Sequence, residues 1–324
     1  MGAPTVSVII TTYNQAAYIP ATIVSVLDQM YRDFEIILVD DGSTDSTSRD
    51  ILSYRDRLTY IRQSNQGVPA ARNVGIRHAN GRLLAFLDGD DLWEPTKLQK
   101  QVEAAEAHPN SGLIVTDGVE FAPDAIVRDS LIGPSILSQL KDRDSITLRC
   151  YEELIRHNLI CTTSQVMIPR RVIDRVGLSD ERFPVSSDWD LYLRIAASDE
   201  VTFLNQKLVR YRYLPTSASG PQQLRQFRWG LDVTRVLRKH VGLATPDAAL
   251  LVRAELVRQT RATAEAAYYY SMETDRWWGR RYLFHLLVAN PTSLSVSAYL
   301  LGACVPRFVT RRFGHVVRRV FGLG

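Results

Sequence analysis

Cysteine is scarce in this 324-residue chain, and its three residues, Cys150, Cys161 and Cys304, form no closely spaced pair. This scarcity argues against a disulfide framework and against a cysteine-bound zinc site, and it fits a reducing cytosol. The amino terminus, Met1-Gly2-Ala3-Pro4, also lacks the basic and apolar segments of a secretory signal. The sequence therefore predicts a cytoplasmic protein.

Glycine is missing from a position where it would identify two common classes of nucleotide-binding enzyme. The first strand-like run ends in Thr11-Thr-Tyr-Asn14, which contains no glycine. A dinucleotide-dependent oxidoreductase requires G-x-G-x-x-G after this strand, and a sugar nucleotidyltransferase is expected to carry a glycine-rich loop there. The sequence therefore disfavours both classes.

Acidic residues are absent from Arg307–Gly324, which contains five arginines. Subtracting these five charges from the formal net charge of +4 leaves about −1 for the rest of the chain. Apolar residues are interleaved with the arginines, which favours an amphipathic helix on an anionic membrane over a nucleic-acid site. Tyr282–Pro306 has no charged residue, but Asn290–Ser293 divides it into halves too short to span a bilayer. We expect peripheral membrane contact through the tail, with packing of this region on the preceding domain as the alternative.

Strand-like and helical patterns alternate through the first part of the chain. The predicted strands are Val6–Thr11, Glu35–Asp40, Leu58–Arg62 and Leu83–Leu87, and the predicted helices are Tyr18–Gln29, Val68–Ala79 and Lys97–His108. This alternation predicts an α/β fold whose mostly parallel, Rossmann-like sheet is flanked by helices. Residues 222–290 have helical spacing throughout. We therefore expect a catalytic domain over residues 1–215 and a helical region over 216–324 that ends in the basic tail.

Polar residues follow three of the predicted strands, at Thr11–Asn14, Asp40-Asp41 and Asp88–Asp91. Ligands bind beyond the carboxyl ends of parallel strands, so we expect these residues to share one site. Carboxylates crowded together repel one another unless a cation is present, and Mg²⁺ or Mn²⁺ prefers carboxylate and phosphate oxygens. We predict a metal site at Asp88–Asp91, with an acidic turn capping the next helix as the alternative.

Three further residues each have two interpretations. A turn or helix cap after the second strand needs only one carboxylate of the Asp40-Asp41 pair, so the pair favours ligand contact by the other. Arg72 lies one turn into a predicted helix, where it suits either a phosphate group or an ion pair with one of the aspartates. Asp188 precedes a predicted helix over Trp189–Ala197, and spacing alone allows either an N-cap or a catalytic carboxylate.

Five blocks in order along the chain resemble the family 2 glycosyltransferases. They are Val6-Ser-Val-Ile-Ile-Thr-Thr-Tyr-Asn14, Val39-Asp-Asp-Gly-Ser-Thr-Asp45, Asn65-Gln-Gly-Val-Pro-Ala-Ala-Arg-Asn-Val-Gly75, Phe86-Leu-Asp-Gly-Asp-Asp-Leu-Trp93 and Asp188-Trp-Asp-Leu-Tyr-Leu-Arg194. The resemblance extends from Val6 to about Ala197. It implies the GT-A fold, with a donor half over about residues 1–118 and an acceptor half over about 119–215.

The resemblance also implies roles for individual residues. Thr11, Tyr13 and Asp41 match positions that hold the nucleoside in this family, and Asp41 matches the residue that contacts the base. Asp88 matches the acid near the ribose, and Asp90 the acid that coordinates Mn²⁺ or Mg²⁺ at the diphosphate. Asp188 matches the general base. Ser187 stands where family members often have Glu, which leaves Asp190 as the alternative base.

The implied reaction is an inverting, single-displacement transfer of a sugar from a nucleoside-diphosphate sugar to an acceptor hydroxyl. Uridine diphosphate is the expected carrier, and Arg72 is expected to help bind the donor. The expected context is polysaccharide, lipopolysaccharide or other cell-surface glycan synthesis at the inner face of the plasma membrane, with a glycan or lipid-linked acceptor. A polyprenyl-phosphate acceptor and a non-catalytic assembly subunit are the alternatives. Acceptor contacts should come from beyond residue 120, where His157 and Arg182 are candidates.

Overall fold

The computed structural model describes residues 2–214, 223–273 and 276–289, with residues 293, 296–297 and 299–300. The chain divides into two compact units, Met1–Leu214 and Pro215–Gly324. The predicted basic tail, Arg307–Gly324, lies outside the described residues. In the part of the chain that is described, no helix has the length and apolar character needed to cross a membrane.

One sheet forms the centre of the first unit, and the described residues contribute ten strands to it. The strands are β1 (Val6–Thr12), β2 (Phe34–Asp40), β3 (Thr59–Arg62), β4 (Leu83–Asp88), β5 (Leu92–Trp93), β6 (Ser111–Ala122), β7 (Ala125–Arg128), β8 (Ser145–Leu148), β9 (Val166–Pro169) and β10 (Glu200–Arg212). Their order is β3-β2-β1-β4-β9-β6-β10-β5, with β7 paired to β6 and β8 paired to β10.

The predicted α/β class is confirmed, but the sheet is mixed rather than mostly parallel. Strands β3, β2, β1 and β4 are parallel, whereas β9 runs antiparallel to both β4 and β6. All four residues of β9 are buried. A fully buried strand has the same apolar pattern in either direction, so its orientation could not be predicted from its sequence.

Eight helices and two short 3-10 helices complete the described part of the first unit. The helices are α1 (Ile19–Leu27), α2 (Thr47–Asp50), α3 (Val68–His78), α4 (Lys97–Ala107), α5 (Pro134–Leu140), α6 (Tyr151–Arg156), α7 (Arg170–Val176) and α8 (Ser187–Ala196), and the 3-10 helices are Leu52–Arg57 and Thr163–Gln165. Pro20 and Pro69 lie in the first turns of α1 and α3, where their fixed φ angle favours helix initiation.

Close packing holds α3 against the first strand. A Cβ atom at Gly75 would lie 2.3 Å from Ile9 Cγ2, so only glycine allows this approach. Every residue of β1 is buried, as expected for a strand in the interior of the sheet, between β2 and β4. The helix that contains Arg72 is thereby fixed beside the carboxyl end of β1.

The second unit is helical in its described residues, with α9 (Gln223–Val241), α10 (Pro246–Glu273) and α11 (Arg276–Ala289). Its core includes Ala264, Ala267 and Tyr268 of α10 and Leu283 and Leu286 of α11. Small alanines on α10 allow neighbouring helices to pack closely. The helical character predicted for residues 222–290 is therefore observed over the described part of that range.

Candidate active site

The carboxyl ends of β2, β1 and β4 are level with one another. In the register of the sheet, Thr12 lies opposite Asp40 of β2, and Thr11 lies opposite Asp88 of β4. The backbone extends this alignment, since Asp41 N donates to Thr12 O at 2.9 Å and Gly89 N donates to Thr11 O at 2.9 Å. The acidic turns that follow β2 and β4 are therefore both hydrogen-bonded to the end of β1.

Gly89 is required by space at this edge. A Cβ atom there would lie 2.5 Å from Gln15 Oε1 and 3.0 Å from Thr11 O. Thr11 lies at the end of β1, and Gln15 lies in the segment that follows it. The glycine therefore lets the acidic turn lie directly on the end of the central strand.

Asp88 is the centre of a polar cluster. Its Oδ1 accepts a hydrogen bond from Arg72 Nη2 at 2.8 Å, and its Oδ2 accepts one from Thr163 Oγ1 at 3.1 Å. Arg72 Nη2 also donates to Thr163 Oγ1 at 2.5 Å, and Asp88 N donates to Ser164 Oγ at 3.1 Å. Arg72 thus forms an ion pair with Asp88, which was one of the two interpretations of this residue in the sequence.

Asp90 has the electrostatics expected of a cation ligand. Burial, reinforced by the negative charge of Asp88, raises the pKa of Asp90 to about 6, while Arg212 and a hydrogen bond from Gln15 act in the opposite direction. No group of three or more His, Cys, Asp or Glu in the described residues is arranged to hold a metal by itself. Asp88 and Asp90 offer carboxylate oxygens, the kind of ligand that Mg²⁺ or Mn²⁺ combines with substrate phosphates.

Asp91 points into the protein instead. It is completely buried, and it accepts hydrogen bonds from Ser164 Oγ at 2.6 Å and from the backbone N of Arg212 at 2.9 Å. Burial and the charges of Asp90 and Asp88 raise its pKa well above the ordinary value. Asp91 therefore ties the turn after β4 to the end of β10.

Arg212 is a site residue that the sequence did not reveal. Its Nε donates to Asp90 O at 2.9 Å. Its guanidinium carbon lies 4.8 Å from the ring centroid of Tyr18 and 4.6 Å from that of Phe121. These contacts hold a cation beside the acidic turn without a carboxylate partner at ion-pair distance among the described residues. Its place at the end of β10, more than 100 residues from Asp90, left no local pattern to identify it.

The two residues of the second acidic pair, Asp40 and Asp41, contact different segments. Asp40 accepts from Ser43 N and from Tyr60 Oη, each at 2.8 Å, and so supports the turn itself. Asp41 accepts from Gln66 N at 2.9 Å and Gly67 N at 2.8 Å, and its backbone N donates to the carbonyl oxygen of Thr12, the residue before the exposed Tyr13. The segment before α3 is thus shaped around the Asp41 carboxylate.

Asp188 lies in the first turn of α8, after Ser186, which is the N-cap residue. The N-cap interpretation of Asp188 is therefore wrong. Its Oδ1 accepts from Trp189 N at 2.8 Å. Burial raises its pKa, with Asp88 adding to the effect and Arg72 opposing it. Asp188 is half-buried, and a carboxylate with a raised pKa is suited to proton abstraction.

Asp190, the alternative base, is engaged elsewhere. It is fully buried and pairs with Arg194 Nε at 2.9 Å. Arg194 also donates to the carbonyls of Val176 and Leu178. This arrangement joins α8 to the end of α7, so Asp190 has a structural role in the first unit.

The two acceptor-side candidates lie on the surface. Arg182 forms an ion pair with Asp180 at 2.7 Å and its side chain is largely exposed. His157 is also exposed, at the end of α6. Three polar residues from beyond residue 120 do reach the acidic cluster and were not singled out by the sequence prediction: Thr162, Thr163 and Ser164.

Residues 7–175 match the model of the family described as glycosyl transferase family 2. This match covers more than half of the chain. The chain therefore belongs to glycosyl transferase family 2, and the resemblance seen in the sequence blocks is confirmed.

Individual relatives agree with this family. An uncharacterised glycosyltransferase of Rickettsia typhi is 32% identical over 212 residues, which are 65% of this chain and 64% of that protein. The chain thus spans just under two thirds of the length of this relative. The Escherichia coli protein WfgD, a UDP-Glc:alpha-D-GlcNAc-diphosphoundecaprenol beta-1,3-glucosyltransferase, is 27% identical over 70% of this chain and 84% of its own length.

A solved structure is similar over the whole chain. The mannosyltransferase PcManGT of Pyrobaculum calidifontis, in complex with GDP-Man and Mn²⁺, has a TM-score of 0.57 and 18% identity, over 100% of this chain and 84% of its own. At this identity the similarity concerns the fold, and it supports the expected GT-A architecture with a helical carboxyl-terminal region.

Proposed function

We propose that this protein is a metal-dependent, inverting glycosyltransferase that moves a sugar from a nucleoside-diphosphate sugar to an acceptor hydroxyl. The observation that carries the proposal is the convergence of Asp88 and Arg72 on one edge of the sheet, with Asp90 beside Asp88 and the raised-pKa carboxylate Asp188 near Arg72. This arrangement supports a donor-binding group and a base acting at the same site. Intact charged groups at all of these positions argue against a non-catalytic assembly subunit.

The donor is proposed to bind along the edge formed by β2, β1 and β4. Thr11, Tyr13 and Asp41 would contact the nucleoside, and the Asp41 carboxylate retains a lone pair on Oδ2 that can accept a base N–H. Asp88 would serve the ribose side. A uracil base suits such an acceptor because its N3 carries a hydrogen. WfgD is named as an enzyme that uses UDP-Glc.

The diphosphate is proposed to meet Asp90 through Mn²⁺ or Mg²⁺. The bound metal would neutralise the charge that develops on the leaving diphosphate. Arg212 donates from Nε to Asp90 O, and its guanidinium lies against the Tyr18 and Phe121 rings. Arg72 could exchange part of its contact with Asp88 for a donor phosphate oxygen. These cations supply positive charge independent of the metal.

Asp188 is proposed as the general base. Its raised pKa makes the ionised carboxylate a better proton acceptor than an ordinary aspartate. Removal of the acceptor proton by Asp188 would accompany attack on the anomeric carbon from the face opposite the diphosphate. One displacement inverts the configuration at that carbon and needs no covalent intermediate.

The acceptor is proposed to be a glycan or a lipid-linked sugar in cell-surface polysaccharide synthesis. WfgD is named for a diphosphoundecaprenol-linked acceptor. A second relative, TuaG from Bacillus subtilis, is named as a teichuronic acid biosynthesis glycosyltransferase. The basic tail would hold the protein peripherally at the inner face of the plasma membrane, near such acceptors. A polyprenyl phosphate itself is the alternative acceptor.

The test uses UDP-glucose, UDP-galactose and UDP-N-acetylglucosamine with Mn²⁺ and measures thermal shift and slow UDP release to water. We expect at least one donor to raise the melting temperature only when Mn²⁺ is present, and to be hydrolysed with inversion as followed by NMR. Asp124→Asn, at an exposed turn, is the matched control for active-site Asp→Asn changes. Retention of configuration in the released sugar would contradict the single-displacement mechanism.

A further inference from the structure

Two buried hydroxyls without a partner flank the proposed base. Among the described residues, the buried side-chain polar atoms that lack a hydrogen bond include Ser186 Oγ and Tyr192 Oη, both at α8. Buried polar groups in proteins are nearly always paired, and the exceptions are concentrated where a ligand or water completes them. Asp188 stands between these two residues in the sequence.

Tyr192 has the geometry to reach Asp188. It follows Asp188 by four residues, so the two side chains lie on the same face of α8, one turn apart. Aromatic side chains on helices lean toward the amino-terminal end, which directs the ring of Tyr192 back along the helix toward Asp188. Tyr192 is only 1% exposed, so its hydroxyl is enclosed beside the active site rather than solvated.

The surroundings make Tyr192 a hydrogen-bond donor. Burial, together with the negative charges of Asp188 and Asp88 and against the positive charge of Arg72, raises the pKa of Tyr192 well above its ordinary value. The phenol therefore keeps its proton. Its neighbours on α8 are already engaged, since Trp189 Nε1 donates to Leu154 O at 2.8 Å and Asp190 pairs with Arg194.

We propose that Tyr192 is a positioning residue for Asp188. The Tyr192 hydroxyl donates to a water molecule, and that water donates to the Asp188 carboxylate. Together with the hydrogen bond from Trp189 N to Oδ1, this bridge holds the carboxylate in one rotation and leaves Oδ2 facing the acceptor hydroxyl. The inference rests on the proposed role of Asp188 as the base.

The experiment compares Tyr192→Phe with the unchanged protein in the full chain. The assay is UDP release with Mn²⁺ from whichever of the three UDP-sugars above is hydrolysed fastest, with water as the acceptor. We expect kcat to fall roughly three- to tenfold, as for loss of one ordinary hydrogen bond. The KM for the donor and the melting temperature should not worsen, because the hydroxyl has no partner in the protein. Tyr31→Phe, in the core of the same unit, is the control and should leave kcat unchanged.

A double-mutant cycle separates positioning from packing. In an Asp188→Asn background, measured in single turnovers with excess enzyme, Tyr192→Phe should cause no further loss, because the group it positions is gone. An equal loss in both backgrounds would overturn the proposal, as would full kcat in the single variant or a rise in donor KM alone. Near-normal turnover of Asp188→Asn by itself would instead refute the base assignment, and with it the proposed mechanism.

Discussion

Two Asp-x-Asp segments in this chain have the same spacing and opposite internal arrangements. In Asp88-Gly89-Asp90 the backbone turns tightly after β4, and both carboxylates stay near the edge of the sheet. In Asp188-Trp189-Asp190 the backbone is helical, so the two carboxylates are rotated away from each other by about 200°. Asp188 faces the charged cluster, and Asp190 binds Arg194 in the interior.

The difference shows that spacing alone does not define a metal motif. Burial and the neighbouring negative charge of Asp88 raise the pKa of Asp90, and a bound cation would stabilise the two carboxylates. In the helical segment no cation is needed for this purpose, because the charge of Asp190 is neutralised by its ion pair with Arg194. The local backbone conformation therefore decides whether two aspartates act together or separately.

The largest expected effect comes from removing the proposed base. Asp188→Asn should lower kcat by roughly 10²–10⁴-fold, since it removes proton abstraction while preserving shape. Donor binding, measured by titration with UDP and Mn²⁺, should stay within about twofold of the unchanged protein. A loss of donor binding equal to the loss of turnover would mean that Asp188 belongs to the donor site, and the contrast between the two segments would fail.

Asp90→Asn should abolish the dependence of UDP binding on Mn²⁺. The same change should raise the melting temperature of the metal-free protein at pH 7.5 by a few degrees, because it removes a carboxylate whose pKa in the folded state, about 6, exceeds the ordinary 3.8. A raised pKa means that ionisation costs stability above pH 6, and that this cost diminishes as the pH falls toward 3.8. The gain in melting temperature should therefore be smaller at pH 5, and an unchanged Mn²⁺ dependence would remove Asp90 from the metal site.

Replacing Arg212, the cation that lies against two aromatic rings, should have an intermediate effect on activity, expressed as a change in the KM for the donor. Arg212→Met keeps much of the side-chain length but loses the charge, and we expect the KM for the UDP-sugar to rise about tenfold. Arg210 also stacks on Phe121, at 4.8 Å, but among the described residues its side chain forms no ion pair with the acidic turn. Arg210→Met is thus a matched control, and an equal effect of the two variants would point to general surface charge rather than to a diphosphate contact.

The smallest effect on kcat is expected at Asp190. Asp190→Asn weakens the buried pair with Arg194, so thermal unfolding should shift downward by several degrees. Well below the melting temperature, kcat should remain within about threefold, in contrast to Asp188→Asn. A larger loss of kcat in the folded Asp190 variant would transfer the role of base to the second carboxylate of the helical segment.

The sequence by itself determined the order of strands and helices in the donor half and the polar residues at the strand ends. Apolar periodicity identified β1, β2 and β4, and parallel alignment then required Thr11, Asp41 and Asp88 to meet. The family blocks added roles for Asp90 and Asp188, which remain predictions. The direction of β9 and the full length of β10 were not predictable, because their buried residues have no directional pattern.

Only the tertiary structure decided which polar groups share the cluster. Thr162, Thr163 and Ser164 meet Asp88 and Asp91 across more than 70 residues because β9 inserts beside β4. Contacts between distant segments also determine three other features: the ion pair of Arg72, the inward direction of Asp91 and the position of Arg212. Hydrogen bonds between distant segments depend on chain packing rather than on local spacing, so a single sequence predicts the strand ends but not their partners.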